Sequence, residues 1–227
     1  MRLNSSVRLL LMSAASLAVT SPAFATLHLM QIEQVIGGVN GNTNLQAIQL
    51  RMRAGGQNLV SAGRLRVWDA AGANPIVVMD LNANVPVGGV GQHVLIASPN
   101  FAATFGVTPD FTMTNLIPPS YLAAGKVTWE DDSGAVVWWS LAWGGAGFTG
   151  TNMGNEPMND PDLNFNPPFS GPLPSATGQA LQFNGAANAQ STNNLAQYNV
   201  TAGNATFTNN AGGSGTVPVE LMNFKVE

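Results

Sequence analysis

The chain has no cysteine among its 227 residues. That excludes disulfide stapling, thiolate nucleophiles, cysteine-ligated metal and the lipidated cysteine of a lipoprotein anchor. Histidine is almost as scarce, with only His28 and His93. A serine triad needs a histidine beside an acid and a serine, and no Gly-x-Ser-x-Gly elbow occurs. Zinc is similarly starved of ligands. His93 opens the apolar run Val94-Leu95-Ile96 and reads as a strand histidine hydrogen-bonded at a sheet edge. Charge is sparse too: charged residues make up 9% of the chain and the net charge is -4. A mildly acidic chain of this kind is a poor ligand for nucleic acid or anionic lipid.

What is present begins with a leader. Arg2 and Arg8, the apolar stretch Leu9 to Val19 and the A-x-A site Ala23-Phe24-Ala25 have the anatomy of a secretory signal peptide over residues 1–25. The apolar stretch is too short and wrongly flanked to span a bilayer as a resident helix. Export is therefore expected, to the periplasm or the exterior, with a mature chain starting at Thr26. No membrane anchor is expected after cleavage, since Val217 to Glu227 carry no hydrophobic tail. An exported chain without cysteine fits a bacterial envelope or secreted protein, and residues 26–227 have the length of a single domain.

The 25 glycines and 14 prolines suit many turns between short strands. Period-2 patterning supplies the strands. In Ile48 to Arg53 and Arg64 to Asp69 the apolar residues alternate with arginines. Further strands are expected at Leu27–Ile36, Ile76–Leu81, His93–Ala97, Lys126–Glu130, Val136–Trp143, Ala180–Phe183, Ala205–Thr208 and Val217–Val226. Pro99–Phe105 and Pro119–Ala124 read as short helical turns. The fold class expected is all-β, an antiparallel sandwich. Its inter-sheet core should contain Ile48, Leu50, Met52, Leu65, Val67, Leu95, Val127, Trp129, Val137, Trp139 and Leu141. Residues 144–178 form one long Asn/Pro/Gly-rich loop, a segment of a length that is usually functional or disordered.

The order of segments resembles a known family. Gly91-Gln92-His93-Val94-Leu95-Ile96-Ala97-Ser98-Pro99-Asn100-Phe101, followed by Phe105-Gly106, is similar to a strand and helical turn of bacterial lamin-tail-like domains. Leu122 to Val137 resembles that family's hairpin built around an acidic turn and glycine. Gly178 to Phe183 and Asn193 to Tyr198 resemble its closing segments. Two strands depart from the pattern: the usual acidic strand here reads Gln46-Ala47-Ile48-Gln49-Leu50, and the usual Leu-x-Gly-Trp is Val60-Ser61-Ala62-Gly63-Arg64-Leu65. The resemblance implies an immunoglobulin-like β-sandwich used as an interaction or surface module.

Three features could carry binding chemistry. Glu156, Asp160 and Asp162, interleaved with asparagines, put hard oxygens densely in the long loop, which reads first as an ordinary solvated loop, with calcium as the alternative. The run Glu130-Asp131-Asp132 reads as a hairpin tip. Trp68 shares a strand face with Arg64 and Arg66, Trp138 shares one with Ser140, and Arg51 and Arg53 also point outward. If these strands are neighbours, four arginines and an exposed tryptophan line one face and could bind a sugar or an acidic partner. The alternative is a solvated face with an internal cation–π contact.

The leading expectation is an exported, non-enzymatic interaction or surface protein, with a protein or polysaccharide partner at the cell envelope and no nucleic acid. The alternative is a carbohydrate-binding module using Trp68, Trp138 or the loop aromatics Phe148, Phe165 and Phe169. A third reading is a secreted hydrolase using loop carboxylates.

Overall fold

The computed structural model describes residues 27–155 and 160–217. The leader, Glu156 and nearly all of the strand expected over Val217–Val226 lie outside the described residues. Twelve strands follow in order: β1 Met30–Ile36, β2 Ala47–Met52, β3 Gly63–Trp68, β4 Ile76–Asp80, β5 His93–Ala97, β6 Phe111–Thr112, β7 Gly125–Asp131, β8 Val137–Trp143, β9 Leu181–Phe183, β10 Tyr198–Val200, β11 Thr206–Thr208 and β12 Ser214–Thr216. They form a six-stranded sheet, β10-β9-β1-β2-β5-β6, a four-stranded sheet, β4-β3-β7-β8, and the hairpin β11-β12. Pairing is antiparallel throughout except between β5 and β6. This is an all-β sandwich. Among the described residues no helix is long and apolar enough to cross a membrane.

The alternation seen in sequence decides which side chains meet. Ile48, Leu50 and Met52 on β2, Leu65 and Val67 on β3, Val127 and Trp129 on β7, and Trp139 and Leu141 on β8 are all buried in one core between the sheets. A polar relay crosses that core. The indole of Trp139 donates to Tyr198 Oη at 2.9 Å, and the Tyr198 hydroxyl donates to the Ile32 carbonyl, tying the small sheet to the large one.

Two core assignments need correction, and both have a register cause. Leu95 stands opposite Gln49, while Val94 and Ile96 stand opposite Leu50 and Ile48. It is therefore Val94 and Ile96 that enter the inter-sheet core. Leu95 lies on the opposite face in a second apolar cluster with Phe101, Phe105 and Phe207. That cluster is covered by helix α1 (Pro99–Phe105) and the β11-β12 hairpin, so the centre of the six-stranded sheet is buried on both sides. Helix α1 starts at Pro99 and stops at Gly106, whose φ of 71° suits glycine as a helix terminator.

The second correction concerns β8. Trp139 faces Trp129 and Val137 faces Glu130, so Trp138 is the extra residue of a β-bulge. Beyond the bulge the alternation reverses. Val137 leaves the core and is only half-buried, whereas Trp138 is 8% exposed and packs on Trp129 with ring centroids 5.5 Å apart. The expected exposed tryptophan is a core residue.

Candidate functional site

The outer face of β3 and β7 neutralises its own charges. Pairing sets Arg64 opposite Glu130, Arg66 opposite Thr128 and Trp68 opposite Lys126. Glu130 is 0% exposed. Arg64 Nε donates to its Oε1 at 2.7 Å, Arg66 Nη2 and Thr128 Oγ1 donate to its Oε2 at 2.9 and 3.0 Å, and Arg66 Nε forms a further ion pair. Glu130 is thus a buried anchor and not a hairpin tip; the tip is Asp131 to Gly134. The half-buried Trp68 carries the Arg66 guanidinium 4.6 Å and the Lys126 ammonium 4.8 Å from its ring centroid, and its Nε1 donates to Thr128. Lys126 Nζ donates to the Thr151 carbonyl at 2.7 Å, and burial pushes its pKa down to about 8. Cations already occupy the platform expected for a ligand.

Arg51 and Arg53 do not join it. Arg51 lies on β2, in the other sheet, and Arg53 follows that strand directly, so the four arginines share no face. Glu33 Oε2 pairs with His93 Nε2 at 3.0 Å and accepts from Gln49 Nε2 at 2.8 Å, and Arg51 stands 3.9 Å from Glu33 Oε1. Burial alone would raise the Glu33 pKa, but these partners outweigh it and hold the carboxyl below its ordinary value. Arg53 is buried, donates to the Ala189 carbonyl, and has its pKa lowered to about 10 by desolvation.

The long loop is a cover laid along the outer edge of β8. Asn155 closes on Val137 in both directions, accepting its N–H at Oδ1 and donating its own N–H to the Val137 carbonyl. Phe169 donates to the Ala142 carbonyl and bridges Trp143 in parallel. Asn194, which opens the short helix α2 (Asn194–Gln197), accepts the Ala142 N–H at 2.9 Å. Asparagine amides and loop backbone stand where a neighbouring strand would otherwise pair, which accounts for the composition of the segment.

Asp160 pins this cover from inside. Its Oδ2 accepts from Gly154 N–H at 2.8 Å and its Oδ1 from Ser191 Oγ at 2.7 Å; burial raises its pKa. Asp162 is exposed and hydrogen-bonded to Asn164 N–H, which lowers its pKa. Of the expected calcium ligands, the structure brings together Asp160 and Asp162, while Glu156 lies outside the described residues. Among the described residues no three of His, Cys, Asp or Glu gather into a metal-holding group.

Two concavities among the described residues bear on binding. One is an apolar groove of about 410 Å³ bounded by Leu122, Phe169, Pro172, Pro174 and Val200. The other is a polar cleft of about 470 Å³ between residues 162–167 and residues 191–197. The cleft walls are tied at their base: Leu195 N–H donates to the Pro167 carbonyl, and Asn152 and Asn166 exchange hydrogen bonds at 2.7 and 2.8 Å. Phe165 lines the cleft and is 50% exposed; Leu163 and Leu195, in the same two segments but outside the lining, are 39% and 53% exposed. Leu163 has φ of 49°, a left-handed conformation that is strained for a branched side chain and concentrates at functional sites. Phe165 stood out in sequence as a loop aromatic. Asn193 and Gln197, which face it, carried no such signal.

No family model, curated protein or solved structure matches the chain.

Proposed function

We propose that the chain is an exported, non-enzymatic binding module of the cell envelope, a β-sandwich of lamin-tail-like type, which engages its partner at the cleft between residues 162–167 and 191–197. The observation that carries the reading is the half-exposed Phe165 set among the amide and hydroxyl side chains that line the cleft, with its near neighbour Leu163 in a strained turn. On the outer face of β3 and β7 the candidate binding groups are spent internally: Trp68 under Arg66 and Lys126, and Glu130 between two arginines. The leader supports export, since Arg2, Leu9 to Val19 and Ala23-Phe24-Ala25 meet the pattern of a cleaved signal.

Co-sedimentation of the purified mature protein with the insoluble envelope fraction of the producing cells tests the reading. Binding should be lost in Phe165→Ser and kept in Val90→Ser, a control at a residue that is 67% exposed and does not line the cleft. Binding that survives Phe165→Ser unchanged would remove the cleft from consideration.

A further inference from the structure

Resting on that reading, we propose that the cleft takes a neutral sugar ring, a hexopyranose unit of a polysaccharide. Size admits it: about 470 Å³ lies within the range of small-ligand sites. The chemistry of the walls then narrows the class. Among the described residues no lysine or arginine lines the cleft, so a uronate, phosphate or sulfate would enter with its charge uncompensated beside the Asp162 carboxylate. Apart from Phe165 and Pro167 the lining is amide, hydroxyl and carboxylate, which gives an apolar peptide side chain no pocket to fill.

The polar groups are also oriented in a way that suits hydroxyls. Asn193 Oδ1 is taken by Ala196 N–H at 3.1 Å, and Gln197 Oε1 by Asn193 N–H at 2.8 Å. Each amide oxygen is thereby engaged by backbone within the 193–197 turn, which leaves the NH2 group as a donor. Across from them, Asp162 Oδ1 receives Asn164 N–H and the carboxylate supplies further acceptor positions. A rigid wall of donors facing a wall with acceptors matches the hydroxyl rim of a pyranose, which both donates and accepts. The half-exposed Phe165 ring offers an apolar surface for the C–H face of the same ring.

Saturation-transfer NMR and calorimetry on the mature protein, in EDTA, with malto-, cello- and manno-tetraose and with tetragalacturonate decide the matter. At least one neutral tetrasaccharide should bind and the uronate should not. Asn193→Asp and Gln197→Glu keep the internal oxygen acceptor and replace the amide donor by a charged acceptor, so the internal hydrogen bond is kept while affinity for a neutral sugar should fall about tenfold or more. Phe165→Ala should weaken binding at least as much. Preference for the uronate, or affinity untouched by all three substitutions, would overturn the assignment. If no neutral sugar binds yet Phe165→Ser still abolishes envelope sedimentation, the sugar falls and the cleft stands. If Phe165→Ser changes neither measurement, both fall.

Discussion

Replacing Glu130 by Gln removes one charge from a site where two guanidinium groups converge. The Arg64 and Arg66 side chains are 15% and 16% exposed and the Glu130 side chain is fully buried. Gln keeps one acceptor oxygen, so about half of the hydrogen bonding persists while both arginines lose their counter-charge. Orphaning a buried pair costs about 3–5 kcal/mol; the residual hydration of the arginines places this case at the low end, about 3 kcal/mol. Against a total stability of about 5–15 kcal/mol that is a large fraction. A urea titration at pH 7 should show the midpoint falling with the m-value unchanged. The loss should persist at high salt, because a buried pair is weakly screened. The triple replacement of Arg64, Arg66 and Glu130 by Met should recover most of it, since an apolar cluster needs no counter-charge. A loss below about 1 kcal/mol for Glu130→Gln would refute the account of this site as a buried electrostatic anchor.

Trp138→Ala and Trp139→Ala should each cost about 3–5 kcal/mol in the same titration, because the bulge buries both rings; a negligible effect at Trp138 would mean that the bulge is misplaced. Lys126 has a folded pKa of about 8, below the ordinary 10.5. The unfolded chain therefore holds more protons between those values, and this lysine makes stability rise as pH climbs from about 8 to 10.5, by at most about 3 kcal/mol. Wild type should accordingly gain on Lys126→Met over that window, and parallel pH profiles would contradict the burial of the ammonium. Calcium bound at Asp160 and Asp162 in the folded state alone would raise Tm in millimolar calcium over EDTA, with the rise lost in Asp162→Ala; an unchanged Tm removes calcium from the loop.

Strand positions were legible where alternation was clean. β5 and α1 coincide with the segments read from sequence, and Leu65, Val67, Trp129 and Trp139 face inward as their spacing requires. The failures have local causes. A single inserted residue in β8 reverses every assignment before it, and nothing in Val137-Trp138-Trp139 marks which residue is the extra one. Leu95 was misassigned because Val94-Leu95-Ile96 is apolar on both faces, and period-2 reading has no purchase on a doubly buried strand. Short pairings such as β6 and β12 escaped because two or three residues hold no pattern. The site was harder to read. Trp68 and the arginines were sound as residue types for binding, but strand neighbours decide whether such groups are free, and here Glu130 and Lys126 consume them. Asn193 and Gln197 matter only because residues 162–167 fold back against them, a long-range contact invisible in either segment alone.

The cover along β8 also bears on assembly. An uncovered strand edge is a template on which a second chain can pair, and charge-poor, valine-rich sheets are the ones most prone to grow that way. On the four-stranded sheet, the Val77 and Val78 carbonyls of β4 accept bonds from Thr114 and Asn115, and β8 is covered by residues 144–178 together with Asn194. The outermost strands of the large sheet, β6 and β10, span only two and three residues. Excising the loop would therefore not yield a smaller working module. It would bare the β8 edge and turn the sandwich into a nucleus for fibrillar aggregation, so a segment that helps present the cleft is also one that guards the sheet edge.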